Sequence, residues 1–549
     1  ADTNLPAMGE GAEMTSSEER RLGDDYARAI YRDPQFLDDP ILYEYVNTIW
    51  LELMVAAKQR GTLTPELQER FAWQVMLIQD ATVNAFALPG GFMGVQTGLI
   101  GVVGSRDELA SVLAHELSHV TQRHIARMMA QQKRMTPVMI AGMLLGALAV
   151  SKNPAAAQAL IVGGSAVVAQ TQLNFSRDME READRTGMSL MQPAGYSQSG
   201  FVSMFERLQQ ANRMNDNGSW PYLRTHPLTI ERIGDMQSRL PAQAGRKAQD
   251  SGAVALMMSA RAKVLSKPES QVLNEWISLP RAPEFSKKAP AQQAAGWYLA
   301  AMAAQQLGRI EQAQEALAQL DALVQHDAAA LRQAKLLRAD IAMGARQPQQ
   351  TLAVLAAIAP LKLDAEHSFA TATTVSNIMT GLVNEAVISH GTDKSISISD
   401  RSGDPTLPMV TVQGEAVAST GQAADRPELL LRAQALALLP AAALGAEEGV
   451  LRSTGNRLQT MLAQTPKDAS GWQALATVFR LQGQPLRAIR ADAEARAAQY
   501  DYQAAVDRLR AGQDLARSST QRADYYEASI IDTRLREMQL LAKEQAARQ

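Results

Sequence analysis

The alternation of hydrophobic and polar positions in the first hundred residues predicts helices around a small sheet. Residues 15–60 have helical periodicity, and SSEER (16–20) has the polar start and acidic first turn of a capped helix. The apolar runs FAWQVMLI (71–78) and FMGVQTGLI (92–100) are predicted strands, separated by the turn residues of NAFALPGG (84–91). We expect the two strands to pair as a small antiparallel sheet.

The helical pattern resumes beyond this sheet. Residues 105–135 have the periodicity of one continuous helix, with acidic residues in its first turn, where negative charge suits the helix dipole. Further helices are predicted over 176–192, 197–212 and 228–240. The N-terminal part of the chain is therefore predicted to be mainly helical.

Two stretches of the C-terminal half share one spacing of an aromatic residue, a glycine and an alanine. The two sets are Trp297, Gly308 and Ala313, then Trp472, Gly483 and Ala488. Helix–turn–helix repeats of the tetratricopeptide kind place these residue types in the first helix, at the turn and in the second helix. DYQAAVDRLRAG (501–512) resembles another second helix. The alternative is an Ala-rich helical bundle without repeats.

Two segments depart from these patterns. VMIAGMLLGALAV (138–150) and ALIVGGSAVVAQ (159–170) are strongly apolar, but each is shorter than the ~20 residues that span a bilayer. Each is typical of a buried helix, and together they could form a hairpin that shields a cleft or touches a membrane. Residues 392–421 break the helical pattern and are predicted to be a long loop or insertion.

Composition narrows the class of protein. The chain has 549 residues, enough for several domains, and its net charge of −3 gives no reason to expect a nucleic-acid partner. It contains no cysteine, as expected of an exported bacterial protein or of a cytosolic one without need for thiols. The start ADTNLPAMGEG lacks an initiator Met, which favours a removed export signal, although a trimmed chain would begin in the same way.

The run HELSH (115–119) carries the candidate chemistry. Residues four apart on a helix face nearly the same way, so His115 and His119 can bind one metal ion. Glu116 lies beside them and can take a proton from water that zinc activates. This is the H-E-x-x-H arrangement of zinc peptidases.

A third ligand has two candidates. His124 lies nine residues after His115, about 900° around a continuous helix, so it is predicted to face away as a surface or packing residue. The run FSRDMEREADRTG (175–187) places Glu180 and Asp184 on one helix face, with Glu182 pointing elsewhere. Glu180 can bind a metal, and Asp184 can hold the outer nitrogen of a ligating histidine. Without HELSH, such a charged run is more often a solvated helix face.

These motifs together resemble a known family. HELSH followed about sixty residues later by EREAD, with NAFALPGG before the helix and RTHPLTIERI (224–233) after it, is similar to the zinc endopeptidases that include the CAAX prenyl protease and the heat-shock protease HtpX. The resemblance covers about residues 15–240. Because a repeat region follows and no long apolar span is present, the chain looks most like the periplasmic members that assist β-barrel assembly.

The resemblance implies a set of site residues. His115, His119 and Glu180 would hold one zinc ion per chain, and Glu116 would be the general base. His226 would lie near the metal, where it would either stabilise the oxyanion or take the fourth coordination position. Asp184 would support a ligand, and Arg232 would pair with a nearby carboxylate.

The resemblance and the patterns together predict a mainly α fold. A helical, zincin-type metalloprotease domain with a small antiparallel β-sheet spans 1–245, connecting helices span 246–290, and an α-solenoid of tetratricopeptide-like repeats spans 291–549. The strand FMGVQTGLI is expected to be the edge that borders the cleft, where an extended substrate adds by main-chain hydrogen bonds. The apolar segment 138–170 is expected to be a lid or a membrane-proximal segment.

The predicted function is that of a periplasmic zinc endopeptidase. Its clients would be misassembled outer-membrane proteins, and its repeats would bind those clients or the outer-membrane β-barrel assembly machinery, with peripheral membrane contact left open. The rival hypothesis is a chaperone or adaptor whose zinc site is structural, or is held latent by His226. A structural zinc site is closed by four protein ligands, whereas a catalytic site keeps one position open.

Overall fold

The computed structural model describes two compact units separately. The described residues are 14–131, 176–214, 220–240, 252–358, 386–390, 396–400, 425–518 and 522–548. One unit is Ala1–Val354 with Gln499–Asp501, and the other is Leu355–Ala498 with Tyr502–Gln549. The predicted class, mainly helical with one small sheet ahead of a helical C-terminal part, is confirmed. The domain boundaries at 245 and 290 remain predictions.

The first unit begins with helices and strands that form the walls around the later site. In chain order these elements are α1 (Ser16–Arg32), α2 (Pro40–Gln59), α3 (Pro65–Arg70), β1 (Gln74–Ile78), β2 (Ala85–Leu88), β3 (Phe92–Gln96), α4 (Thr97–Val102), α5 (Arg106–Thr121), α6 (His124–Gln131), α7 (Arg177–Met191), α8 (Ser199–Met214), α9 (Tyr222–Thr225) and α10 (Ile230–Ser238). Side-chain caps begin several of them. Thr15 and Glu18 form a capping box on α1, and Ser105 and Ser176 accept from backbone N–H groups at the starts of α5 and α7.

The sheet of the first unit is mixed rather than antiparallel. Its strand order is β1-β3-β2, with β1 parallel to β3 from Gln74↔Phe92 to Ile78↔Gln96, and β2 antiparallel to β3. The prediction of an antiparallel β1–β3 pair was therefore wrong. The reason is that AFAL (85–88), taken as part of a turn, forms a strand of its own and reverses the chain between the other two.

The turn in this region is shorter than predicted. Only the residues after Leu88 turn, and Gly90 and Gly91 adopt positive φ values of 73° and 85°, which glycine accepts without steric cost. The strand predicted over 92–100 ends at Gln96, where helix α4 begins. As a result β3 is the central strand, and β2, not β3, is the edge strand beside helix α5.

Helices α5 and α7 pack closely enough to bring their polar side chains together. Gly187 of α7 lies against α5: a Cβ atom there would lie 3.0 Å from Ala114 C and O and from His115 N. A larger residue would push the two helices apart, so this glycine sets their separation. Both helices are buried on the faces that carry the candidate ligands.

The helix predicted over 105–135 is two helices. Helix α5 ends at Thr121, Arg123 adopts a left-handed backbone with φ of 52°, and α6 begins at His124. Arg123 donates to Glu19 Oε2 at 3.0 Å and to the carbonyl oxygen of Met14. These contacts with the α1 region hold a backbone conformation that residues other than glycine rarely adopt.

The rest of the first unit consists of paired helices. They are α11 (Ala253–Leu265), α12 (Ser270–Ser278), α13 (Pro290–Gln306), α14 (Ile310–Val324), α15 (Ala328–Gly344) and α16 (Pro348–Ala356), with the last residues of α16 falling in the second unit. Helices α13 and α14 form a hairpin that turns at Gly308, where φ is 71°. Ala313 is fully buried in this hairpin, at the position the repeat spacing assigned to helix packing.

The described residues of the second unit form helices and one strand pair. Its helices are α17 (Arg426–Leu438), α18 (Ala441–Ala446), α19 (Glu448–Gln464), α20 (Ala469–Leu481), α21 (Pro485–Ala498), α22 (Tyr502–Ser518) and α23 (Arg522–Ala546). Helices α20 and α21 turn at Gly483, where φ is 68°, and Ala488 is buried at 2% exposure. The two hairpins thus share the predicted turn and packing positions, while their assignment as tetratricopeptide repeats remains a prediction.

Two sequence segments lie largely or wholly outside the described residues. The apolar segment 138–170 lies wholly outside the described residues, so its role as a lid or membrane-proximal element remains a prediction. Of the 392–421 insertion, Ile396–Asp400 is described as strand β5, which pairs antiparallel with β4 (Ala386–His390). Over the described parts of the chain, no helix is long and apolar enough to cross a bilayer.

Candidate metal centre

Helix α5 presents two histidines to one buried point. His115 and His119 are 2% and 0% exposed, and their Nε2 atoms lie 3.0 Å apart. Glu180 of α7 is 1% exposed; its Oε2 lies 3.4 Å from His115 Nε2 and its Oε1 lies 3.4 Å from His119 Nε2. The structure therefore brings together the three residues that the sequence analysis singled out as metal ligands.

A fourth donor atom joins this cluster. His226 follows the short helix α9, and its Nδ1 lies 3.3 Å from His115 Nε2 and 2.9 Å from Glu180 Oε1. One ligand atom from each of His115, His119, Glu180 and His226 lies within 4.8 Å of the others. The position of His226 near the metal-type cluster was expected only from the family resemblance.

The spacing and charge of this cluster fit a divalent metal ion. Two donor atoms that share a tetrahedral zinc ion lie about 3.3 Å apart, close to the separations seen here. Imidazole nitrogen and carboxylate oxygen are donors that zinc accepts. Three buried carboxylates, Glu116, Glu180 and Asp184, face one buried guanidinium, Arg232. The buried carboxylates therefore outnumber the buried guanidinium, and a bound cation would add positive charge beside them.

Glu116 lies next to the cluster without joining it. Its Oε2 accepts a 3.0 Å hydrogen bond from the backbone N–H of Ala87 in the edge strand β2. Its Oε1 lies 3.4 Å from His226 Nε2 and has no hydrogen-bond partner among the described residues, although the side chain is fully buried. A buried carboxylate oxygen left without a donor is costly, so this atom is available to a proton-bearing ligand.

The outer nitrogen of His115 contacts a carboxylate held by an arginine. His115 Nδ1 lies 2.9 Å from Asp184 Oδ1, and Arg232 donates to both oxygens of Asp184, at 2.6 and 2.8 Å. Arg232 Nη1 also lies 2.9 Å from Glu180 Oε2, so the guanidinium pairs with two carboxylates. Such an arrangement fixes the ring angle of a ligating histidine.

These contacts shift the pKa values of the cluster in opposite directions. Burial alone would lower the pKa of His115, but the carboxylates of Asp184 and Glu180 raise it to about 10. Burial dominates at His119 and holds its pKa well below the ordinary value. Burial would raise the pKa of Glu180, but the neighbouring histidines, His226 first, hold it well below the ordinary value. In the metal-free protein the cluster therefore holds a proton on His115.

The outer nitrogen of His119 contacts His124, which rules out the predicted alternative of a surface histidine. His124 is fully buried, and its Nδ1 lies 2.9 Å from His119 Nδ1. Glu182, predicted to point elsewhere, lies with Oε2 3.0 Å from His124 Nε2 and also accepts from Arg127 at 2.9 Å. His124 reaches His119 because α5 ends at Thr121 and the left-handed turn at Arg123 redirects the chain.

Tyr222 packs against His226 and was missed by the sequence analysis. The two rings are stacked, with centroids 4.7 Å apart and an interplanar angle of 28°. Burial raises the pKa of the Tyr222 hydroxyl well above its ordinary value, so the group stays neutral. The four-residue spacing between Tyr222 and His226 was the available signal, since a single helical turn places such residues on one face.

The site combines two histidines four apart on one helix with a glutamate from a second helix. Beside them lies a buried carboxylate, Glu116, with one oxygen that lacks a hydrogen-bond partner among the described residues. Together these groups define a metallopeptidase-type centre. In a comparison with protein families, residues 44–240 match the profile of peptidase family M48.

Several curated proteins are similar in sequence to this chain. The chain is similar to the β-barrel assembly-enhancing protease of Escherichia coli (strain K12), at 30% identity over 319 residues, 58% of this chain and 62% of that protein. It is also similar to the protein of the same name from Yersinia pestis, at 33% over 237 residues, 43% of this chain and 47% of that protein. A mitochondrial metalloendopeptidase of Schizosaccharomyces pombe is 32% identical over 179 residues, 32% of this chain and 50% of that protein. The chain thus spans between about half and three-fifths of the length of these relatives.

Proposed function

We propose that this chain is a zinc-dependent endopeptidase. His115, His119 and Glu180 would hold the zinc ion, and Glu116 would take a proton from the attacking water and pass it to the leaving amine. Zinc at such a site supplies Lewis-acid chemistry, which activates water and polarises the scissile carbonyl. Asp184 and Arg232 would hold His115 in the ring orientation that binding requires.

The placement of Glu116 is the observation that supports this proposal most. A structural metal site has no use for a buried acid that does not ligate the ion, whereas a hydrolytic site needs such an acid as its base. Glu116 Oε1 is buried and has no hydrogen-bond partner among the described residues, and its Oε2 is held by Ala87 N–H. The carboxylate is therefore oriented with one oxygen free for a proton.

The edge strand β2 suits an extended peptide substrate. Ala87 N–H points away from the sheet, toward Glu116, so the open side of β2 runs along the metal cluster. A peptide that adds to this edge by main-chain hydrogen bonds would place its backbone carbonyl groups near the metal, with little dependence on side-chain identity. We propose β2 for the role that the sequence analysis assigned to β3.

The relatives suggest a compartment and a class of client. Two of them are named β-barrel assembly-enhancing proteases. By analogy, we propose that this chain works in the periplasm on misassembled outer-membrane proteins, with its helical hairpins binding clients or the β-barrel assembly machinery. The absence of cysteine supports an oxidising compartment.

The position of His226 favours a second function, that of a chaperone or adaptor with a latent zinc site. His226 Nδ1 lies 2.9 Å from Glu180 Oε1 and 3.3 Å from His115 Nε2, which is the position of a fourth protein ligand. A site closed by four protein ligands has no open position for water. In this function the helical hairpins would carry the activity, and cleavage would need displacement of His226.

Zinc content and cleavage of an unfolded protein substrate, measured together, test these functions. The variants are Glu116→Gln and His226→Ala, with His326→Ala as the control, because His326 is an exposed histidine outside the cluster. The endopeptidase hypothesis expects about one zinc per chain in the wild type and in all three variants. If the wild type is active, Glu116→Gln should lower the cleavage rate by several orders of magnitude and the other two variants should not. If His226 keeps the enzyme latent, cleavage should appear in His226→Ala. Zinc retention without cleavage in any variant, His226→Ala included, would support the adaptor.

A further inference from the structure

Each of the two histidines of helix α5 is held through its outer ring nitrogen. The contact of His115 with Asp184 was anticipated from the sequence, because Asp184 is four residues after Glu180 and shares its helix face. The contact of His119 is less usual, because its partner is another histidine. His124 Nδ1 lies 2.9 Å from His119 Nδ1, and His124 Nε2 lies 3.0 Å from Glu182 Oε2.

The contacts from His119 through His124 to Glu182 determine which ring nitrogen of each histidine carries its hydrogen. When His119 faces the ligand cluster with Nε2, its Nδ1 carries the hydrogen and donates to His124 Nδ1. His124 must then accept at Nδ1, so its hydrogen lies on Nε2 and is donated to Glu182. Arg127 Nη1, 2.9 Å from the same oxygen of Glu182, fixes that carboxylate in turn. Each group thus specifies the tautomer of the next.

The backbone at the end of α5 serves this contact. A continuous helix would turn His124 away from His119, whereas the left-handed residue Arg123, with φ of 52°, redirects the chain. That conformation is unfavourable for a residue other than glycine, and it is held by the ion pair of Arg123 with Glu19. His124 is fully buried with both ring nitrogens engaged, so it differs from a histidine that only fills space.

We propose that His124 and Glu182 are positioning residues for the metal centre, which hold His119 in the tautomer and ring angle that present Nε2 to the metal. The proposal rests on the zinc site of the proposed function and adds two residues that do not touch the metal. Outer partners of this kind contribute to metal affinity, and their loss weakens it by about 10–100-fold. The site would then have two supports, Asp184 with Arg232 for His115 and His124 with Glu182 for His119.

The test measures the zinc dissociation constant of the full chain by chelator competition. His124→Leu removes both hydrogen bonds, and His124→Asn restores an oxygen acceptor where Nδ1 stood. Glu182→Gln removes the charge that orients His124. Its matched control is Asp178→Asn, which removes a carboxylate from the same helix. Asp178 lies at the surface, where it pairs with Arg181. A control for lost buried polarity is Ser118→Ala on α5, whose hydroxyl donates to Ala114 O.

We expect His124→Leu to weaken zinc binding by about 10–100-fold, His124→Asn to weaken it less, and Glu182→Gln to act in the same direction. The two controls should bind zinc as the wild type does. A second readout is the His119 tautomer, from proton–nitrogen NMR correlations of histidine-labelled protein, which is practical because the chain has 7 histidines. In His124→Leu and Glu182→Gln, the hydrogen of His119 should no longer be confined to Nδ1. Loss of packing around His124 would not by itself change this tautomer.

Specific outcomes overturn the proposal. Unchanged zinc affinity and an unchanged His119 tautomer in folded His124→Leu and Glu182→Gln would assign His124 to packing alone. If His124→Leu does not fold, Glu182→Gln decides, because Glu182 is 37% exposed and its loss leaves the core intact. A wild-type chain that binds no zinc would overturn the proposed function and this proposal together, whereas zinc-binding wild type with unaffected variants would overturn this proposal alone.

Discussion

Ala87 N–H donates a hydrogen bond to Glu116 Oε2, so the edge strand holds the carboxylate proposed as the general base. Proline lacks this N–H and is tolerated on the open side of an edge strand. We expect Ala87→Pro to lower kcat by about tenfold or more while zinc stays bound, since losing one such hydrogen bond costs about 1–2 kcal/mol. Ala87→Gly keeps the N–H and should cleave as the wild type does. Equal kcat values in the two variants would contradict the role of this hydrogen bond.

Metal binding should release one proton per zinc ion. Asp184 and Glu180 raise the pKa of His115 to about 10, so the metal-free site carries a proton that must leave before His115 binds zinc. His119 and Glu180 have lowered pKa values and already have the protonation states that zinc needs. Below pH about 10, zinc affinity should therefore rise about tenfold per pH unit.

Calorimetry in two buffers of different ionisation enthalpy measures this proton directly. Asp184→Asn removes one of the carboxylates that hold the proton on His115, so the proton released per zinc should fall in this variant. Zinc binding without proton release near neutral pH in the wild type would show that His115 is neutral in the metal-free protein.

The close approach of α7 to α5 predicts that Gly187→Ala damages the metal site. The added Cβ would lie 3.0 Å from backbone atoms of Ala114 and His115, so the helices must separate by a few tenths of an ångström. We expect a loss of about 1–3 kcal/mol in the free energy of unfolding, with weaker zinc binding. Gly234→Ala is the matched control, because nothing lies within 4 Å of its Cβ position. That change should stabilise helix α10 by roughly 0.5–1 kcal/mol, and equal effects of both substitutions on zinc binding would refute the prediction.

An acid-sensitive ion pair is expected in the second unit. Arg426 donates to both oxygens of Asp468, at 2.6 and 2.9 Å, and Asp468 caps helix α20 through Gly471 N–H. Burial opposes ionisation, but the charge of Arg426 and these hydrogen bonds lower the pKa of Asp468 below its ordinary value. Because the pKa of Asp468 is lower in the folded state, its ionised form stabilises the fold. This stabilisation is complete above the pKa of the unfolded chain, ~3.9, and is lost as pH falls through the pKa of the folded state.

Thermal unfolding as a function of pH tests this ion pair. Asp468→Asn keeps a capping oxygen but removes the negative charge that pairs with Arg426, and should destabilise the second unit by about 3–5 kcal/mol at neutral pH. The difference between wild type and variant should shrink below pH ~4, because acid removes the same charge from the wild type. A difference that stays constant with pH would mean that the charge of Asp468 does not contribute.

Local periodicity was enough to predict the ligand faces of this site. His115 and His119 share a face because they are four apart on a helix, and Glu180 and Asp184 do so for the same reason. Their meeting in space depends on a small residue at Gly187, whose importance lies in a contact with a helix about seventy positions earlier. Spacing could rank these residues as candidates, but only the family resemblance related the two helices before the structure did.

The errors arose where tertiary contacts override a local pattern. The left-handed turn at Arg123 is held by Glu19, about one hundred residues earlier, and no helix-ending residue marks it in the sequence. Without that turn His124 would face away, as predicted. The strand AFAL was hidden by the adjacent Pro-Gly-Gly, and a parallel β1–β3 pair depends on a chain reversal that alternation of apolar residues does not report.

The ligand cluster draws its donors from three separate stretches of chain, on α5, on α7 and after α9. If His226 also binds the metal ion, the ion cross-links the chain and closes the loop between His115 and His226. Unlike a covalent cross-link, it can be removed. Like a disulfide, such a link restricts the unfolded chain, but its strength follows the free metal concentration. Metal supply would then set how firmly the segment that carries His226 is tied to helices α5 and α7.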